Sequence, residues 1–230
     1  MTYDFLLFGA LPYVAMVVFL VVTIQRYRQR SFTYSSLSSQ FLENQQHFWG
    51  SVPFHYGILL VLAGHAAGFL MPRTVLWWNS EPLRLFILEI TGLALGLLTL
   101  IGLVVIAVRR WTHSKVRRVT TAADWVVYAL LFVQVVTGIS IAVSQSWGSA
   151  WFATSLAPWL WSLVRLDPDV SYVAPLHWLI KVHIVNAIAL IAFFPFTRLV
   201  HVLVVPNPYL WRRTQVVIWN WDRMRDRRVH

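Results

Sequence analysis

The sequence has no cysteine among its 230 residues. That absence excludes disulfides, cysteine-ligated zinc, iron–sulfur clusters and covalently attached c-type haem, which needs a C-x-x-C-H motif. Charge is also scarce, since Asp, Glu, Lys and Arg make up 12% of the chain, against about 25% in soluble domains. Any metal must therefore rest mainly on histidine, and the folded surface is too poor in charge for water to be its main solvent.

Long apolar runs take the place of the missing charge, in a chain that is 58% hydrophobic. A helix needs about 20 apolar residues to cross the hydrocarbon core of a bilayer. The runs long enough to do so cover residues 5–25, 52–71, 83–108, 123–144 and 176–205. The first is too long for a signal peptide and lacks a basic front end, so we expect it to remain as a helix. The sequence thus predicts an all-α integral membrane protein, with a five-transmembrane-helix bundle in residues 1–205 and a basic tail in residues 206–230.

The net charge of +10 comes from basic residues clustered at the ends of apolar runs. The clusters are Arg26, Arg28 and Arg30; Arg109, Arg110, Lys115, Arg117 and Arg118; and, in the tail, Arg212, Arg213, Arg223, Arg225, Arg227 and Arg228. The opposite loops and helix starts carry only Arg73, Arg84, Arg165 and Lys181. By the positive-inside rule, the N-terminus is expected outside and the tail in the cytoplasm. A nucleic-acid-binding protein would spread its basic residues over one polar face, so we expect no nucleic acid partner.

Residues 147–166 form one more apolar stretch, which raises the question of a sixth span. A sixth crossing would move the arginine-rich tail outside, against the charge bias. The stretch also has Pro158 in its middle and four tryptophans, a residue type that prefers the membrane interface. We therefore predict that it lies on the outer surface.

Four of the eight histidines lie inside predicted spans. They are His55 and His65 in the second span and His183 and His201 in the fifth. Ionisable groups at such depth are costly and usually mark function. One such histidine could simply be hydrogen-bonded to a neighbouring helix, but four on two helices favour a shared role.

The spacing of these histidines predicts two pairs. His183 and His201 are 18 positions apart, which is five turns at about 3.6 residues per turn, so one continuous helix would present both on one face. The second and fifth spans run in opposite directions. His55 is therefore expected to face His201 at the cytoplasmic level, and His65 to face His183 at the outer level.

Two stacked histidine pairs suit two bis-histidine haem b groups better than zinc, whose structural sites need four converging ligands. Two axial imidazoles leave the iron no open position for oxygen, which favours electron transfer. The two histidines of the second helix are separated by about 15 Å along its axis, but those of a continuous fifth helix by about 27 Å. The fifth helix would need a tilt of about 40° to reduce this difference in depth.

Other polar and small residues in the spans allow more than one interpretation. Lys181 and Arg198 precede histidine ligands and are predicted to pair with haem propionates, although each could instead reach toward the membrane surface. Glu89 is open to a proton path or a buried hydrogen bond. Six glycines fit either a flat macrocycle or close helix packing: Gly57, Gly64, Gly68, Gly92, Gly96 and Gly102.

Several sequence segments match a known family. Residues 54–59 read FHYGIL and precede Gly64-His65, residues 115–124 read KVRRVTTAAD, and residues 194–201 read FPFTRLVH. With LPY at residues 11–13 and SSQ at residues 38–40, they resemble the gamma subunit of respiratory nitrate reductase over nearly the whole chain.

That resemblance implies a di-haem quinol dehydrogenase of the cell (inner) membrane. Menaquinol or ubiquinol would be oxidised at the outer haem (His65 and His183), near Gly64, with protons released outside. Arg84 or Arg73 would stand in for the lysine that some members place at the quinol oxygen. Electrons would reach the inner haem (His55 and His201), then a cytoplasmic iron–sulfur subunit and a molybdenum catalytic subunit that reduces nitrate. The basic loop and tail are expected to dock these subunits.

Two alternatives stay open at this point. The same di-haem subunit could serve a sulfite-reductase-linked, heterodisulfide-reductase-like or nitrite-oxidising complex. A second class of function is a haem-free anchor or transporter whose histidines relay protons.

Overall fold

The computed structural model describes residues 3–30, 33 and 45–204, and the described residues are helical, with no strand among them. A π-helical segment, Phe5–Ala10, leads into α1, and another, Phe152–Leu156, joins α7 to α8. The α-helices are α1 (Leu11–Arg30), α2 (Gln45–Leu70), α3 (Pro72–Trp78), α4 (Pro82–Thr112), α5 (Ser114–Arg118), α6 (Ala122–Ser144), α7 (Gly148–Trp151), α8 (Ala157–Val164) and α9 (Trp178–Phe193). The predicted basic tail lies outside the described residues.

Five of the helical segments are long and apolar enough to cross a membrane: Phe5–Arg30, Phe48–Leu70, Pro82–Thr112, Ala122–Ser144 and Trp178–Phe196. Large apolar side chains point away from the protein along them. On α4, for example, Leu83, Ile87, Ile101 and Val108 are each at least half exposed. Such a stripe needs lipid around it rather than water. The chain is a multi-pass membrane protein, as the sequence predicted.

Contacts at the two ends of the bundle fix the helix directions. The ammonium of Lys181, at the start of α9, lies 3.2 Å from a carboxylate oxygen of Asp4, just before the first span. At the opposite end, Arg26 of α1 donates to the carbonyl of Pro195, just after α9, at 2.6 Å. The first and fifth spans therefore run the same way. We call the end that holds Asp4 the N-terminal face and the end that holds Arg26 the basic face.

The helices pack in the order α2, α4, α6, α9 and α1. The α2–α4 contact is the closest, because glycines stand where the backbones meet. A Cβ added to Gly57 would lie 2.9 Å from the carbonyl oxygen of Leu95, and one added to Gly102 would lie 2.8 Å from the carbonyl oxygen of Gly50. These two glycines thus serve helix packing.

The tryptophan-rich stretch lies across the N-terminal face. The indole nitrogen of Trp159 donates to the carbonyl of Phe8 at 3.0 Å, and that of Trp161 donates to the carbonyl of Phe69, also at 3.0 Å. Tyr13 donates to the carbonyl of Leu163 at 2.9 Å. The stretch therefore ties together the ends of the first and second spans and is not among the candidate spans.

The prediction that the fifth span is one continuous helix is wrong. We predicted one helix over residues 176–205, but α9 ends at Phe193. A 3-10 turn follows at Phe194–Phe196, Thr197 is extended, and a second 3-10 segment covers Arg198–Val204. Pro195 explains the break, because proline has no N–H for the helix ladder and disfavours helical backbone before it. The helical period therefore does not connect His183 to His201, and the steep tilt is not needed.

Candidate haem site

The structure brings His55 and His201 together at the basic face. Their ring centres are 6.3 Å apart, with the ring planes at 65°. A metal bonded to one nitrogen of each ring at about 2.0 Å would hold the ring centres roughly 6 Å apart. The distance between the ring centres is therefore compatible with a metal ion between two axial imidazoles.

Three of the four histidines share one hydrogen-bond pattern. The Nδ1 atom of His55 lies 2.7 Å from the carbonyl of Ser51, and that of His65 lies 2.8 Å from the carbonyl of Val61. The Nδ1 atom of His201 lies 2.6 Å from the carbonyl of Arg198, which is in the same 3-10 segment. A carbonyl only accepts, so Nδ1 carries the proton in each ring. The Nε2 lone pair is then left for a metal, as in most histidine ligands.

His183 reaches the same tautomer through side chains of α6. Its Nδ1 atom lies 2.8 Å from the Thr137 hydroxyl, which itself donates to the carbonyl of Val133 at 2.7 Å. The hydroxyl therefore accepts the Nδ1 proton. The Nε2 atom lies 2.9 Å from the amide nitrogen of Gln134, whose amide oxygen accepts from Asn186 at 2.7 Å. A metal at Nε2 would displace the Gln134 amide.

His65 and His183 both lie nearer the N-terminal face, and their facing one another stays a prediction. The ring of His65 meets that of Phe152 edge-on at 5.6 Å. The ring of His183 fits beside Gly138, where an added Cβ would lie 3.2 Å from its Cε1 atom.

Two of these imidazoles have little cover within the chain. His55 and His65 are exposed, although both lie in a candidate span. Lipid is a poor solvent for an imidazole, so a polar group exposed at this depth calls for a further partner. A planar cofactor between α2 and the fifth span would supply that cover.

The predicted propionate partners both contact carboxylates. Arg198 places Nε 2.8 Å from Asp124 and donates from Nη2 to the carbonyl of Val119 at 2.6 Å. Lys181 pairs with Asp4, as described above. Their role at propionates stays a prediction.

The predicted quinol residues lie toward the N-terminal face. A Cβ added to Gly64 would meet no atom within 4 Å, so its backbone is open to an approaching molecule. The Arg84 guanidinium lies over the rings of Trp77 and Trp78, at 5.0 and 5.6 Å from their centres. Its Nε atom is buried, and no acceptor for it is found among the described residues.

Glu89 has a hydrogen-bonded partner. One of its carboxylate oxygens accepts from the backbone N–H of Ser149 at 2.8 Å and from the Ser149 hydroxyl at 2.7 Å. The amide of Asn79 donates to the same hydroxyl at 2.9 Å. Glu89 thus anchors the start of α7 to α4, which favours the hydrogen-bond interpretation.

Four residues around the histidines were not predicted from the sequence. Thr137, Gln134 and Asn186 surround His183, and Asp124 holds Arg198. A glutamine and an asparagine deep in apolar runs were a readable signal, because uncompensated amides are costly in lipid. Asp124 gave none beyond its place at the start of a span.

The described part of the chain has no group of three or more histidine, aspartate or glutamate side chains that could hold a metal ion alone. The iron of a bis-histidine haem needs only two ligands from the protein, because the macrocycle supplies the remaining ligands. Fold and site together define a class: a multi-pass helical membrane protein with facing histidines on antiparallel spans.

Comparisons with known proteins narrow this class. The family model described as nitrate reductase gamma subunit matches residues 4–220. The chain is 30% identical over 210 residues to the nitrate reductase gamma chain of Bacillus subtilis (strain 168), covering 90% of this chain and 94% of the relative. It is 32% identical over 213 residues to the respiratory nitrate reductase 1 gamma chain of Escherichia coli (strain K12), covering 91% and 95%. The chain belongs to the nitrate reductase gamma subunit family.

A more distant likeness covers part of the chain. It is 30% identical over 119 residues to one subunit of the dihydromethanophenazine:CoB--CoM heterodisulfide reductase of Methanosarcina barkeri (strain Fusaro / DSM 804). The match covers 52% of this chain and 39% of the relative.

Proposed function

We propose that this chain is the cytochrome b subunit of a membrane-bound nitrate reductase. It would bind two haem b groups, one at His55 and His201 and one at His65 and His183. The observation that carries the proposal is the 6.3 Å separation of the His55 and His201 rings, each with Nδ1 held by a carbonyl. Haem b, when bound between two imidazoles, supplies one-electron transfer without an open position for oxygen.

The quinol end of the proposed path lies at the N-terminal face, which the charge pattern favours as the outer side. Gly64 leaves the backbone beside His65 open, so that menaquinol or ubiquinol can approach the proposed outer haem. Arg84, whose guanidinium lies over Trp77 and Trp78 at this face, is the proposed donor to a quinol oxygen. Protons from the quinol would leave on this outer side.

The electron-accepting partners would bind at the basic face. It carries Lys115, Arg117 and Arg118, all exposed, on the turn from α4 to α6, whereas Arg109 and Arg110 at the end of α4 are buried. We propose that a cytoplasmic iron–sulfur subunit docks here and passes electrons to a molybdenum subunit that reduces nitrate. The names of two close relatives, both nitrate reductase gamma chains, support that substrate.

The likeness to a heterodisulfide reductase protein favours a second candidate, the same di-haem subunit with another soluble partner. It covers about half of this chain, whereas the nitrate reductase relatives cover about nine-tenths. Co-purification from native membranes separates the two, because the first candidate requires a molybdenum-containing subunit in the complex.

Haem content tests the proposal directly. The purified full-length chain is expected to give a reduced-minus-oxidised spectrum of b type and two haems per chain by the pyridine assay. His201→Ala is expected to lose one haem. His177→Asn is the control, because His177 caps α9 through Nδ1 and asparagine keeps a capping acceptor. A haem-free wild-type chain would instead support a proton-relaying anchor.

A further inference from the structure

We infer that Asp124 is a positioning residue for His201 and, resting on the proposed function, for the inner haem. It acts through Arg198. Its carboxylate is 8% exposed and lies at the start of α6, far from His201 in sequence. Nothing in the local sequence links the two residues, and the link follows from two consecutive contacts, from Asp124 to Arg198 and from Arg198 to His201.

The first contacts tie Arg198 to the beginning of α6. The Oδ1 atom of Asp124 lies 2.8 Å from Nε of Arg198. The Nη2 atom of the same guanidinium donates to the carbonyl of Val119, just before α6, at 2.6 Å. Arg110 of α4 adds a second guanidinium at 3.8 Å from Oδ2 of Asp124. Such a largely buried charge pair is directional, and removing one partner leaves the other uncompensated.

The next contact carries the constraint to the imidazole. Arg198 begins the 3-10 segment, and its carbonyl accepts from Nδ1 of His201 at 2.6 Å. The side chain of Arg198 is therefore fixed to α6, while its backbone sets the orientation of the ligand ring. Asp124, Arg198 and His201 form one chain of contacts.

His201 needs this support more than the other three histidines do. His55, His65 and His183 lie within long α-helices, whose backbones hold them. His201 follows the break at Pro195, in a 3-10 segment, which is a weaker form of helix. Arg26 secures the break itself by donating to the carbonyls of Pro195 and Thr197, at 2.6 and 2.9 Å.

Asp124 also caps α6, and the test must separate this capping role from the positioning of His201. Its Oδ2 atom accepts from the N–H of Thr121 at 2.8 Å, while the Thr121 hydroxyl accepts from the N–H of Asp124 at 3.3 Å. Thr121→Ala removes the second of these bonds, together with the 3.1 Å bond that the Thr121 hydroxyl donates to Oδ2, but keeps Oδ1 of the carboxylate on Arg198. It is the matched control for a loss of capping alone.

The measurements are redox titration and electron paramagnetic resonance of the purified, haem-loaded full chain. Asp124→Asn removes a negative charge that favours the oxidised iron, so the midpoint potential of the inner haem is expected to rise. We expect about a threefold change in its reduction equilibrium, or roughly 30 mV, since tenfold is about 59 mV for one electron. Its low-field g value, which reports the angle between the imidazole planes, is expected to move as well. The outer haem of the same molecules is the internal control.

Asp124→Glu keeps the charge and is expected to keep the potential, while the longer side chain shifts the inner g value. If Asp124→Asn does not accumulate in the membrane, the low-field g value of the inner haem in Asp124→Glu decides the test. The inference is overturned if the inner haem is unchanged in these variants, or if Thr121→Ala reproduces the effect. A wild-type chain without two haems would instead refute the proposed function, so the two failures are distinguishable.

Discussion

Thr137 supplies a test of the proposed outer haem, because its hydroxyl is the acceptor for Nδ1 of His183. The other three histidines use backbone carbonyls, which no substitution removes. Thr137→Val keeps the shape of the side chain and deletes that acceptor. The Nδ1–H group would be left unpaired in a partly buried site between α6 and α9.

The magnitude follows from the energy of one hydrogen bond. An unpaired buried donor costs about 1–3 kcal/mol. An Nδ1–H bond to an acceptor makes the imidazole a stronger electron donor, so the bond favours oxidised iron. If about 1 kcal/mol of the bond depends on the oxidation state, its loss raises the midpoint potential of the outer haem by roughly 40 mV.

The assay is a redox titration of both haems in the purified chain. Thr137→Ser keeps the hydroxyl and is expected to keep the potential. Ser140→Ala is a further control, because it removes a hydroxyl of α6 that donates to a backbone carbonyl, that of Val136 at 2.8 Å. An unchanged outer potential in Thr137→Val, or an equal shift of both haems, would refute the reasoning.

Three more predictions concern the fold around the site. Pro195→Ala permits α9 to continue past its present end, so His201 should turn away from His55. The inner haem should then be lost, which a measurement of haem content per chain would show. Retention of both haems would contradict the role of the break. Gly57→Ala places a Cβ 2.9 Å from a carbonyl oxygen of α4 and should destabilise the chain by about 1–3 kcal/mol in a thermal melt. Gly92→Ala, with no atom within 4 Å of the added Cβ, should melt like the wild type, and equal melting of the two variants would contradict the packing argument. Glu89→Gln keeps a carbonyl acceptor for α7 and should leave quinol oxidation within about twofold of wild type, whereas a large loss of turnover would point to a proton path.

The sequence could predict the spans and the approach of His55 to His201, because both depend on the solvent, while the pairing of His65 with His183 stays a prediction. Lipid requires long apolar runs and makes every imidazole within a span conspicuous. The sequence could not predict the end of α9. Pro195 was visible, but proline is tolerated in membrane helices when neighbours satisfy the freed backbone groups. Here Arg26, from another span, contacts those carbonyls, and only the tertiary structure shows that contact.

The two proposed haem sites differ in how their ligands are held, and that difference bears on electron flow. At the N-terminal face, His183 lies in a continuous helix and takes its hydrogen bonds from side chains of α6. At the basic face, His201 depends on Arg198 and the buried carboxylate of Asp124. A side-chain change at one site leaves the partners of the other in place. The potentials of the two proposed haems would therefore be set independently, so the drop between them, which would direct electrons from quinol to the proposed soluble partner, would be open to separate adjustment at each end.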